Sequence, residues 1–191
     1  MWLLLALVAA LCQVLRNTVM KRLGHSLDEY INVWGRFTFL LPFAGLFVLW
    51  KGVPVIKPGF YTACACFAVS QTISTMALSK ALKLSQISMV TALWKVSLLV
   101  LVVLGYFTLK EQPTGLGILG ILISMAGVYL LNVNRAHIAW WAPLTVLFTD
   151  HGMRYTLLAA LFFAPSVVTI KWAMQCSDQY TGTLGGYVAA S

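Results

Sequence analysis

The sequence predicts an all-α polytopic membrane protein of about six transmembrane helices, built as one five-helix repeat and the start of an inverted second copy. Composition, the lengths of the apolar runs and an internal self-similarity carry that prediction. Of 191 residues, 60% are hydrophobic and only 9% charged, too little charge to cover a soluble domain of this length. The net charge of +8 comes from 13 Lys and Arg against 5 Asp and Glu. In a soluble protein that excess would suggest nucleic acid. Here the basic residues stand singly between apolar runs, as membrane flanks do, so no nucleic-acid partner is expected. Cys12, Cys64, Cys66 and Cys176 lie in apolar segments without metal-ligand spacing and read as small hydrophobes.

A helix needs about 20 apolar residues to cross the hydrocarbon core. Runs of that kind lie at 2–20, 31–50, 59–79, 86–109, 115–134 and 156–174. The first has no positive n-region, and Leu11 stands where a lipoprotein-type cleavage site needs a small residue. It is therefore read as a retained helix. The connections Lys21–Tyr30, Lys51–Pro58, Lys80–Ser85 and Lys110–Thr114 are short, which makes consecutive helices antiparallel neighbours. Pro113 and Thr114 suit the first turn of the fifth helix, where a missing N–H does no harm. Residues 135–155 form the longest connection, and Trp140 and Trp141 within it suit the headgroup level.

Sliding the chain by 150 positions aligns Leu7–Gly35 with Leu157–Gly185 without a gap. Leu7, Ala9, Ala10, Leu11, Lys21, Asp28, Tyr30 and Gly35 each meet an identical residue. Apolar matches are cheap, so the weight lies on Lys, Asp, Tyr and Gly. An odd number of helices separates the copies, so the second lies upside down in the membrane. Inverted repeats of this kind characterise secondary transporters, with the substrate at the interface of the halves. The domains expected are 1–134, a first repeat; 135–155, an interfacial connection; and 156–191, the truncated start of a second repeat. The chain then reads as a fragment of a protein of roughly 300 residues, or as one half that pairs with a homodimer partner.

The stretch from Ala81-Leu82-Lys83 to Asn132 resembles the EamA repeat of the drug/metabolite transporter superfamily. The parts that match are Ala81-Leu82 closing the third helix, the long apolar run Val96–Leu109, and then Gly105 and Glu111. Gly117, Gly120 and Gly127 follow, spaced along the fifth helix. Lys21 near the end of helix one and Gly35-Arg36-Phe37 opening helix two are similar as well. The family often carries a proline near the middle of the fourth helix, where this chain has Trp94-Lys95. The resemblance implies a multi-pass carrier of small molecules in a cell membrane, such as the bacterial inner membrane.

Lys95 is the sharpest candidate for substrate contact. It lies roughly 12–14 Å along helix four at 1.5 Å per residue, near the bilayer centre. A lysine there costs about 2.5–3.5 kcal/mol on insertion scales, so it should face a cavity or a partner. Ser88, Thr91 and Lys95 share one helical face by their i, i+3, i+7 spacing. Two further polar stripes could line the same cavity: Gln13, Arg16 and Asn17 on helix one, and Ser70, Gln71 and Ser74 on helix three. Interhelical hydrogen bonding is the structural use of such residues. Gly120, Ser124 and Gly127 make a packing face on helix five. Glu111, Asp28, Glu29 and Asp178 stand at membrane boundaries, and Asp150 lies in the long connection.

No Asp or Glu falls inside an expected span. Proton-coupled export of organic cations ordinarily uses an intramembrane carboxylate, so the cavity should prefer neutral, zwitterionic or anionic solutes. A multidrug or organic-cation exporter and a non-transporting scaffold are the alternatives. There is no nucleotide-binding glycine loop, metal-ligand cluster or nucleophile–base spacing, and His25, His137 and His151 sit in connections. Neither enzymatic activity nor a cofactor is expected. Counting Lys and Arg gives six in the first, third and fifth connections against three in the second and fourth. That count puts the N-terminus outside. The family resemblance implies the opposite orientation, which we adopt. The expected partners are the lipid bilayer and a small-molecule substrate.

Overall fold

The computed structural model describes residues 2–24, 28–52, 54–110, 114–136 and 150–191. Among them every regular element is helical and no strand occurs: α1 Trp2–Leu23, α2 Glu29–Thr38, α3 Leu41–Lys51, α4 Phe60–Leu84, α5 Ile87–Trp94, α6 Val96–Leu109, α7 Gly115–Ala136, α8 His151–Cys176 and α9 Gln179–Ala190. Four stretches are long and apolar enough to cross a membrane, namely Leu4–Leu23, Tyr30–Lys51, Ile87–Thr108 and His151–Cys176. Gly115–Gly127 is a shorter apolar helix. The chain is thus the all-helical polytopic membrane protein that its composition predicts. Helix α4 is long enough at 25 residues but less apolar, because it carries Ser70, Gln71, Thr72, Ser74, Thr75 and Ser79. It is also the helix on which α1, α2, α8 and α9 pack.

Small side chains let α4 and α8 come close, as is usual where lipid removes the hydrophobic drive for association. Ala63, Ala81, Ala159, Ala160, Ala164 and Ala173 are all fully buried. The Ser74 hydroxyl crosses the seam to donate to the Ala159 carbonyl at 2.9 Å. Helix α9 folds back on both, with Gly182 against the Met174 backbone and Gly186 against Phe67 and Ile170. By contrast, Leu4, Leu7, Leu11, Phe43, Leu49 and Leu116 stand exposed on the outer helices, where a bilayer would cover them.

Each end of the bundle is tied by polar contacts that give the helix directions. At one end Lys21 Nζ donates to the Ser85 carbonyl (3.0 Å) and Ser85 Oγ donates to Asp150 Oδ2 (3.1 Å). The other Asp150 oxygen accepts from the Gly152 N–H at 2.8 Å and caps α8. That cap explains why α8 begins at His151, five positions before the apolar run at 156; His151 and Arg154 therefore lie in its first turn, not in a connection. At the opposite end the Lys57 N–H donates to the Cys176 carbonyl at 2.8 Å, and Lys51 Nζ sits 4.8 Å over the Tyr180 ring. Helices α1 and α8 consequently run in opposite senses. Replacing Asp150 by alanine removes both the cap and the tie to Ser85. A loss of about 1–2 kcal/mol is expected, read as a lower melting temperature in detergent, while Asp150→Asn, an equally good cap, retains most of the stability.

Two expected spans are broken. The run 31–50 parts at Phe39–Leu40, because Pro42 offers no N–H to the Thr38 carbonyl and its ring crowds that carbonyl. The Phe39 N–H keeps the ordinary bond to Gly35 O (3.0 Å), and the ladder tightens at the next residue, where the Leu40 N–H reaches Phe37 O (3.2 Å). The run 86–109 parts at Lys95 with no proline at all. Ser97 Oγ donates to the Trp94 carbonyl at 2.6 Å, the acceptor that the Leu98 N–H would use in an unbroken helix. The Leu98 N–H turns instead to the Lys95 carbonyl at 3.0 Å.

Candidate functional site

A cavity of about 90 Å³ lies between the helices, lined by Gln13, Arg16, Arg36, Gln71, Ser74, Thr75, Leu78, Trp94 and Phe163. Helical periodicity brings these residues together. Gln13 and Arg16 are three apart on α1, and Gln71, Ser74, Thr75 and Leu78 follow an i, i+3, i+4, i+7 stripe on α4. Arg36 stands one turn before the break at Phe39–Leu40, and Trp94 is the last residue of α5. Arg16 precedes the end of α1 by seven positions and Arg36 follows the start of α2 by seven, so each lies roughly 10 Å from the same end of the bundle. Their shared depth is why two arginines from different helices meet one cavity.

The polar wall is cross-bonded. Arg36 Nη1 donates to Thr75 Oγ1 (3.2 Å), and Thr75 Oγ1 donates to the Gln71 carbonyl (2.8 Å). Ser166 Oγ lies 2.7 Å from both the Gln71 side-chain amide and the Phe163 carbonyl, and so links α8 to this wall. Arg16 Nη2 donates to Asn17 Oδ1 at 3.3 Å, whereas Arg16 Nε is buried with no partner. The opposite wall is apolar, with the Trp94 and Phe163 rings 4.9 Å apart between centroids and Leu78 beside them. Among the described residues no carboxylate lines the cavity. Toward the end held by Lys21 and Ser85, Met20, Leu78, Leu82 and Val90 form a buried apolar cluster with Trp94 and Tyr155 packed against it. Asn32 Nδ2 bridges the Met20 carbonyl and Ser79 Oγ across that region. This end of the cavity is therefore closed.

Of the residues singled out in the sequence, Gln13, Arg16 and Gln71 line the cavity, and so does Ser74. Asn17 is buried beside it as the partner of Arg16. Ser88, Thr91 and Lys95 are half-buried on α5 and at its end and are not among the lining residues. The Thr91 hydroxyl is turned back onto its own helix, to the Ile87 and Ser88 carbonyls. Trp94, the last residue of α5, reaches the cavity, and Lys95 is the N-cap position of α6. Sequence reasoning passed over Arg36 as a lining residue, although its depth in the second span is the same signal that singled out Lys95. Phe163 was also legible, since it is Gln13 shifted by 150 positions (13 + 150 = 163). Thr75, Leu78 and Trp94 carry no comparable signal.

Among the described residues no group of three or more His, Cys, Asp or Glu side chains could hold a metal ion. Thr114 Oγ1 accepts from the Gly117 N–H at 3.3 Å at the start of α7, while Glu111, Pro113, His25, His137, Trp140 and Trp141 lie outside the described residues. Set beside known proteins, residues 1–133 match the model of the EamA-like transporter family. The chain belongs to that family. It is accordingly a multi-pass membrane protein of the drug/metabolite transporter superfamily, a family of transporters rather than enzymes. No curated protein and no solved structure matches the chain. In this EamA-family chain the match covers α1 to α6 and most of α7, the helices that supply all the cavity's lining residues except Phe163.

Proposed function

We propose that the chain is a secondary carrier that moves small neutral, zwitterionic or anionic solutes by alternating access, in a bacterial inner membrane. The observation that carries this reading is the cavity itself: polar on one wall, bearing two arginines and, among the described residues, no carboxylate, and closed toward one end by apolar side chains. A solute held there is shielded from that side of the membrane, which alternating access requires of one of its states. The broken helices favour the same reading, because discontinuous helices at mid-membrane are the usual builders of such sites. The inverted repeat, 1–134 followed by 156–191, is supported by the opposite senses of α1 and α8. It is supported too by Asp28 and Asp178, which stand 150 positions apart and both occupy N-cap positions.

Lys95 stays in this reading as a third cation, beside Trp94 at the α5–α6 break. Lys95→Ala is expected to lower transport while membrane insertion is unchanged; uptake equal to wild type in a cell assay would remove Lys95 from the site. The carrier reading is tested by reconstituting the protein in liposomes and following a panel of small solutes. Saturable uptake of neutral or anionic members is expected. Uptake confined to organic cations would favour a cation exporter, and no uptake of any solute would favour a scaffold.

A further inference from the structure

We propose that the cavity is a carboxylate clamp, and that its solute is a short organic acid with no ammonium group. This rests on the carrier reading and names the substrate class for that same cavity. Two guanidinium groups face one small cavity, with no carboxylate in its lining among the described residues. In a medium of low dielectric constant like charges repel strongly, and each also carries a desolvation cost. An anion between them offsets both. Each guanidinium is already oriented from one side, Arg16 by Asn17 and Arg36 by Thr75. A planar carboxylate matches the fork of a guanidinium in a way that a spherical ion does not.

The second wall decides between kinds of anion. Leu78 and the tilted Trp94–Phe163 pair offer a surface for carbon and at most one donor, the indole N–H, for the remaining oxygens of an inorganic phosphate. An ammonium group on the same solute would face the arginines with no acid to receive it. At about 90 Å³ the cavity has room for a handful of waters, well short of a drug-sized site at about 300–1,000 Å³. The acid is therefore short.

The test is calorimetric titration of the purified protein in detergent with propionate, propionamide, propylammonium and inorganic phosphate. The first three share size and differ in charge. Saturable binding of propionate, with the other three roughly tenfold weaker or more, is expected. Propionamide, propylammonium or phosphate binding as tightly as propionate overturns the clamp, and this comparison needs no variant. Arg16→Lys and Arg36→Lys keep the charge and lose the fork, and each should weaken propionate by roughly tenfold. An unchanged affinity in both overturns the assignment. Uptake into liposomes keeps the two readings apart. Propionate that binds but is not taken up removes the carrier and leaves the clamp, whereas uptake of neutral solutes with no propionate binding removes the clamp and leaves the carrier.

Discussion

Arg36→Ala is expected to cut transport of the preferred solute by roughly 10- to 100-fold, the range for losing a charge-assisted hydrogen bond in a desolvated site. The same variant should be no less stable than wild type. Arg36 contributes one hydrogen bond, to Thr75 Oγ1, and that hydroxyl keeps its own bond to the Gln71 carbonyl when the arginine is gone. Shortening the side chain widens an existing cavity and relieves repulsion with Arg16. Transport assayed in liposomes and melting in detergent should therefore move independently. A fall in melting temperature that accounts for the lost uptake would instead make Arg36 a structural residue.

The second large effect concerns stability. A Cβ on Gly182 would lie 2.8 Å from both the N and the Cα of Met174, main-chain atoms that cannot rotate away. Gly182→Ala must then push α9 off α8, at a cost of about 1–3 kcal/mol, and the melting temperature should drop. Gly120→Ala is the matched control, because nothing lies within 4 Å of the Cβ it would add. Equal melting of the two variants would show that α9 is not seated on α8 as described.

How far the molecule is legible in its sequence depends on which interaction sets each feature. Apolar run length follows from the thickness of the bilayer, so the helices could be placed from composition and spacing alone. The breaks are different in kind. At Lys95 the Ser97 hydroxyl bonds the Trp94 carbonyl, and nothing in hydropathy distinguishes that serine from one facing lipid. Ser88, Thr91 and Lys95 stand off the cavity lining, whereas Trp94 of the same helix is part of it. Gln13, Arg16 and Gln71 could be picked out because polar groups at mid-membrane are costly and stand out. Leu78 is apolar among apolar neighbours, and only tertiary packing selects it.

The polarity of α4 also shapes how the chain must assemble in the membrane. Two of its polar groups find their partners on α8, Ser74 on the Ala159 carbonyl and Gln71 on Ser166, and α8 leaves the ribosome long after α4 does. Until then α4 must hold those groups against lipid or stay shielded by the insertion machinery. Biogenesis thus passes through an intermediate whose central helix is the least content of all to be there, and α8 is the step that commits it.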